Sequence, residues 1–135
     1  MKLVLDVNIL LDVVQKRAPF YFTSATVLSK ILENEHAGYL PGHAVTTLYY
    51  LVQRYADKAR ADEVIDWLLV HFEIIPQDKV QFVRARALAM PDFEDAALVT
   101  AAEAAKCDII LTRNLSDFQG APVVVMSPEE FLAQP

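Results

Sequence analysis

Apolar positions along the chain switch repeatedly between two periods, and the switches divide it into strands and helices. Leu3-Val4-Leu5 is an unbroken aliphatic run inside Lys2–Leu5, ended by Asp6. A run of that kind predicts a short strand covered on both faces. Leu10–Gln15 predicts a short helix, closed by Lys16-Arg17 and Pro19. From Tyr21 to about His36, Ala25, Leu28, Ile31 and Leu32 recur at helical spacing, with Gly38 as the expected stop. Tyr39-Leu40 is too short to assign from pattern, and Pro41-Gly42 after it is a turn signal. Val45–Ala56, with Leu48, Leu51, Val52 and Tyr55, and then Asp62–Val70 predict two amphipathic helices. Phe72–Ile75 predicts a strand ahead of Pro76. Asp78–Ala89 predicts a helix with Val80, Val83 and Ala87 inward and Arg84 and Arg86 outward. Phe93–Lys106 predicts an Ala-rich helix, Asp108–Thr112 and Val123–Met126 two strands, and Pro128–Leu132 a last helix capped by Ser127.

Strands thus alternate with helices throughout, with no linker, repeat or low-complexity tract. Such alternation predicts an α/β fold of three layers, α/β/α, around a parallel sheet of about five strands. At 135 residues the chain is expected to form one domain, residues 1–135. In sheets of this class ligands bind beyond the carboxyl ends of the strands, which says where to look for chemistry.

Composition narrows the setting. Hydrophobic residues make up 54% and charged residues 22%, enough for a buried core and against disorder. No apolar run has the roughly 18 residues a membrane span needs, and Asp6 interrupts the start too early for a secretory signal. The single Cys107 has no internal partner and reads as a small apolar filler. These features predict a cytoplasmic protein with no membrane partner. The net charge of −6 argues against a protein that coats nucleic acid non-specifically. It is compatible with an acidic pocket whose charge bound cations offset.

Three polar clusters lie after or opposite strand ends: Asp6-Val7-Asn8, Asp92-Phe93-Glu94-Asp95, and Arg113-Asn114-Leu115-Ser116-Asp117. If the first and fourth strands are neighbours, the three clusters converge on one crevice. Converging carboxylates repel, so either protons or cations must occupy the gap. Oxygen donors without His or Cys suit Mg²⁺ or Mn²⁺, and ions so held activate water and stabilise the leaving oxygen of a phosphodiester. Simpler readings stand beside these. Asn8 also suits a helix cap, Asp92 a helix N-terminal acid, and Asp117 a turn acid. His36, His43 and His71 lie far apart without metal-ligand spacing and read as surface or loop residues. Tyr49, Tyr50 and Trp67 read as core or interface.

The stretch Leu5-Asp6-Val7-Asn8-Ile9-Leu10-Leu11 resembles the first acidic motif of PIN-domain proteins. Asp92–Val99 with Ala101-Ala102 resembles the third, and Ile110–Phe118 the closing motif. The motifs come in the family's order and span nearly the whole chain. The resemblance implies a small α/β/α fold and Mg²⁺- or Mn²⁺-dependent ribonuclease activity, as in the VapC-type toxins of toxin–antitoxin pairs. It implies Asp6, Asp95 and Asp117 as catalytic and metal-binding residues, with Asn8, Glu94, Thr112 and Asn114 in support. One departure stands out. The family usually has a Glu early in the helix after the second strand, whereas Gly42–Tyr50 contains no carboxylate. Thr46 or Thr47 takes that place, which predicts weaker metal binding.

The leading expectation is therefore a metal-dependent ribonuclease acting on single-stranded RNA, the toxin of a type II pair with a small antitoxin partner. The missing acid supports an alternative, a catalytically weakened PIN-like module that binds RNA or protein. A phosphotransfer reading with Asp6 as nucleophile wants a second Asp where the chain has Asn8. The apolar excess of the Val45–Ala56 helix, Tyr50 included, predicts a homodimer.

Overall fold

Leu3, Val4 and Leu5 have no exposed surface although their side chains alternate between two faces, so both faces of this strand are covered. The computed structural model describes residues 1–135. Along the chain it has β1 (Lys2–Leu5), α1 (Val7–Val14), α2 (Tyr21–Leu32), β2 (Ala37–Pro41), α3 (Gly42–Tyr55) and α4 (Lys58–His71). Next come β3 (Glu73–Ile75), α5 (Lys79–Ala87), α6 (Phe93–Ala104), β4 (Ile109–Leu111), a 3-10 turn at Leu115–Phe118, β5 (Val125–Met126) and α7 (Pro128–Leu132). The sheet order is β3-β2-β1-β4-β5 and every neighbouring pair is parallel.

The expected three layers are present. Leu3, Leu5, Leu40, Ile109 and Leu111 join one core with Ile9, Val27, Leu48, Leu68 and Phe131, from α1 to α4 and α7. Val4 and Ile110 join the other with Leu98, Val99, Ala101 and Ala102 of α6. Each buried Val, Leu, Ile or Phe side chain among them contributes about 1.5–3 kcal/mol. From β1 the chain steps outward to β2 and β3 over the first face. It then returns across the second face, through α5 and α6, to β4 and β5. Right-handed crossovers require that change of face when the direction of winding reverses. The reversal falls between β1 and β4, and the crevice it opens at their carboxyl ends is where such sheets take ligands.

Several elements differ in detail from the sequence reading. α1 starts at Val7 rather than Leu10, because the Asp6 carboxylate caps it and accepts the Asn8 N–H at 3.4 Å. The cap is thus Asp6, with Asn8 inside the first turn. α2 ends four residues before His36; Asn34, at φ 61°, supplies the left-handed stop expected of Gly38. Gly38 instead lies within β2, where a Cβ would come 2.7 Å from the Phe72 ring. Pro41-Gly42 is a direct strand-to-helix junction rather than a turn. α5 presents a different face from the one expected. Val80 and Val83 are 75% and 60% exposed, while Ala85 is buried and Phe82 packs beside Phe93. The aromatic contact with α6 sets the rotation of this helix, and the smaller valines are left outside.

Candidate functional site

Extending the Leu5↔Leu111 register by one residue sets Asp6 beside Thr112, at the point where the winding reverses. The Asp6 N–H donates to the Leu111 carbonyl at 3.0 Å, so the backbone stays in the ladder as the chain leaves β1. The Thr112 hydroxyl donates to Asp6 Oδ2 at 2.9 Å, and the Asn114 N–H donates to Thr112 Oγ1 at 3.1 Å. This relay orients the Asp6 carboxylate from two strands. Burial raises the Asp6 carboxyl above its ordinary range, opposed by the Thr112 hydroxyl, the Asn8 N–H and the Arg113 charge.

The N-terminus of α6 supplies the second group of acids. Asp92 is the cap, accepting the Asp95 N–H at 3.0 Å. Asp95 sits in the first turn, half-buried and turned toward the sheet. Its carboxyl is pushed up to about 7 by burial first, then by the charges of Asp92, Asp6, Asp117 and Glu94. Asp117 is exposed on the 3-10 turn after β4. The carboxylates from the three clusters are therefore close enough to repel. As the side chains stand, no three acidic, His or Cys residues form a closed cage for an ion. The donors are carboxylate oxygens, which suit a hard cation by chemistry.

Residues 2–116 match the family model of the PIN domain. The chain belongs to the PIN-domain family. A comparison with curated protein sequences finds no match. Among solved structures the PIN domain is similar to VapBC-1 from nontypeable Haemophilus influenzae, with a TM-score of 0.74 and 15% identity over 96% of this chain and 99% of that one. It is similar to VapBC2 from Rickettsia felis bound to a DNA fragment from their promoter, with a TM-score of 0.71 and 18% identity over 94% and 98%. Mycobacterium tuberculosis VapC20, a sarcin-ricin loop cleaving toxin, gives 0.66 and 9% over 80% and 86%. At such identities the likeness speaks for the fold.

The helix in which PIN domains usually carry their second acid differs from the sequence reading. Thr46 is exposed and Thr47 half-buried, and each hydroxyl donates to the His43 carbonyl at 3.1 Å. Neither reaches the other acids. His43 does approach them: its Nε2 stands 3.8 Å from Glu94 Oε1. Gln77, just past β3, accepts the His43 N–H at 2.8 Å. Of the three histidines read as surface or loop residues, this one stands beside an acid of the α6 N-terminal cluster. The others do not: His71 packs on Trp67, and His36 on Phe131. On the opposite flank Arg113 makes a two-pronged ion pair with the fully buried Asp12. That leaves its charge partly neutralised before any substrate arrives.

Proposed function

We propose that this PIN domain is a divalent-metal-dependent endoribonuclease that cuts single-stranded RNA in the cytoplasm, as the toxin of a type II toxin–antitoxin pair. PIN-domain proteins are typically nucleases, and the observation that carries the reading here is the Asp6 carboxylate, held by the Thr112 hydroxyl at 2.9 Å where β1 and β4 part and joined there by the acids of the α6 N-terminus. The Asp95 carboxyl, raised to about 7 by burial and by Asp92, Asp6 and Asp117, marks a site short of positive charge. Asp6, Asp95 and Asp117 would hold Mg²⁺ or Mn²⁺. Bound there, the ion supplies Lewis-acid activation of water and neutralises charge building at phosphorus.

The chain's own groups set the geometry. Thr112 and Asn114 fix the Asp6 rotamer, and Asn8 contributes its N–H to the same carboxylate. Asp92 anchors the first turn of α6 and so aims Asp95. Asp117, exposed on the 3-10 turn after β4, would complete the donor set.

The solved relatives that are toxin–antitoxin complexes support a small antitoxin partner. A groove of about 440 Å³ between α1–α2 and α3–α4, lined by Leu10, Val14, Leu28, Leu48 and Trp67, suits an apolar antitoxin helix. Exposed Tyr50 and Tyr55 on α3, with Leu69 and Val70 on α4, support a homodimer. The second reading, an RNA- or protein-binding module, is favoured by one observation: α3 carries no carboxylate at all.

Purified protein is expected to cut single-stranded RNA in Mn²⁺ or Mg²⁺ and to lose activity in EDTA or on Asp6→Asn. Undiminished cleavage in EDTA would rule out the metal mechanism. RNA binding without cleavage would favour the second reading.

A further inference from the structure

Phe93 is the first residue of α6, one position after the cap Asp92 and two before Asp95, and it is 46% exposed. The buried side of that helix is made by Ala96–Ala102, so the core does not require an aromatic ring at its mouth. The Phe93 ring meets the Phe82 ring of α5, with centroids 6.2 Å apart and planes 35° from parallel. Phe82 is half-buried and backs the outer ring, which keeps nearly half its surface in water.

Two cations stand in line with this pair. Lys79, Phe82 and Arg86 are spaced i, i+3 and i+7 on α5 and share one stripe of the helix. Lys79 and Arg86 are exposed and form no ion pair, whereas Arg84, on another side, is bonded to Glu103 at 3.2 Å. α5 ends at Ala87 and α6 begins at Phe93, so the short connection sets the Arg86 end of the stripe near the acidic first turn of α6. An exposed ring between two unpaired cations, leading to a cluster of acids, matches the way single-stranded nucleic acid is held. Cations meet the phosphates, and aromatic faces take the bases whatever their sequence. Val80 and Val83 lie on the neighbouring side of α5 and would serve an apolar protein partner. Such a partner needs neither the free cations nor the nearness to the acids.

We infer that Phe93, backed by Phe82, is the stacking platform for one base of a single-stranded RNA, with Arg86 and Lys79 meeting phosphates on either side of it. The platform sets which stretch of the strand lies over Asp6 and Asp95 without reading its sequence. The inference rests on RNA as the substrate proposed above, and its test separates the two.

Fluorescence anisotropy with a short labelled single-stranded RNA, in EDTA and again with Ca²⁺, compares the intact wild type with Phe93→Leu, Phe93→Trp and Lys79→Gln/Arg86→Gln. Leu keeps apolar bulk against Phe82 and removes the aromatic face, so affinity should fall about tenfold, within the range of one lost base stack. Trp should keep the affinity. The double charge variant should flatten the slope of log K against log salt by about 1.4, the share of two phosphates on a single strand. An RNA carrying 2-aminopurine at one position after another should show one quenched position in the wild type and none in Phe93→Leu. Circular dichroism checks that each variant keeps the fold. Equal RNA affinity in wild type and Phe93→Leu, or no quenched position in the wild type, overturns the inference and leaves the α5 face to a protein partner. If Phe93→Leu changes neither affinity nor KM while Asp6→Asn stops cleavage, the platform falls and the nuclease reading stands. A base stacked on Phe93 in a protein that cuts no RNA would uphold the platform and remove the nuclease reading.

Discussion

Replacing Arg113 by Met tests how the two sides of the site are held together. Asp12 has no exposed surface, and its oxygens accept from Arg113 Nε and Nη2 at 2.9 Å each. The guanidinium also lies 4.1 Å over the Phe20 ring. Met keeps the apolar stem and removes the fork, leaving a buried carboxylate with the Ser24 hydroxyl at 3.2 Å and Arg17 at 3.9 Å. Removing one partner of a buried pair costs about 3–5 kcal/mol. Arg17 remains nearby and the Arg113 side chain is 22% exposed, so the lower end applies, about 3 kcal/mol. For a chain of this length that is a fall of about 10–15 °C in Tm. The double variant Asp12→Leu/Arg113→Met buries no lone charge and should recover most of the loss. Urea unfolding of the wild type and both variants measures this. A loss below about 1 kcal/mol for Arg113→Met would place the pair with ordinary surface contacts. A double variant no better than the single would refute the reasoning outright.

Three further outcomes are expected. Asp95 in the folded apo protein holds its proton up to about 7, against an ordinary 3.8. Its contribution to stability is therefore complete below about pH 4 and is lost as pH rises through about 7. Metal affinity rises across the same window, because the ligand must be deprotonated. Urea midpoints from about pH 5 to 8, with EDTA and with Mn²⁺, should diverge as pH rises, and Asp95→Asn should remove the divergence. Thr47→Glu should tighten Mg²⁺ binding, since residue 47 is half-buried one turn from His43; Thr46→Glu, on the exposed side, should not. Calorimetry decides, and equal behaviour of the two would mean that α3 faces the site differently. Sedimentation at micromolar concentration should show a dimer; a species of 15.1 kDa alone would remove it.

How legible each part of the site is in the sequence depends on how plainly its strand stands out. β1 and β4 are aliphatic runs with polar residues directly after them, so the strand-end rule alone reaches Asp6 and Asn114, while Thr112, read as the last residue of its strand, enters through the family resemblance. β2 reads Ala-Gly-Tyr-Leu-Pro, with a glycine demanded by Phe72 and too little alternation to assign. Without a visible strand end before it, His43 carries no mark of its position. β3 is recognisable, but Pro76 makes Gln77 look like loop. In α5 the valines carry the hydrophobic pattern, while the Phe82–Phe93 contact, made across two helices, sets the rotation. The Asp12–Arg113 pair joins residues 101 positions apart. No local pattern encodes such a partner; only the adjacency of β1 and β4 brings it about.

The charge distribution leads to a last prediction, about how RNA would bind. Six of the twelve lysines and arginines already face acids: Arg17 and Arg113 at Asp12, Lys30 at Glu35, Lys58 at Asp62, Arg60 at Glu63 and Arg84 at Glu103. With a net charge of −6 and an acidic sheet edge, few cations are left to track a phosphate backbone. Attraction to RNA must then come mainly from ions held by the carboxylates. On a single strand each phosphate neutralised by Lys or Arg adds about −0.7 to the slope of log K against log salt. One or two such contacts give a slope no steeper than about −1.5. Fluorescence anisotropy with a short labelled RNA and the inactive Asp95→Asn variant would underestimate the metal contribution. The measurement therefore uses wild type with Ca²⁺, an oxygen-seeking ion of larger radius. Binding should be weak in EDTA, strengthen with Ca²⁺, and change little with KCl. A slope near −4 in EDTA would show five or six protein–phosphate contacts. The RNA would then be held by a basic surface on this chain, and the acids would have no part in its capture.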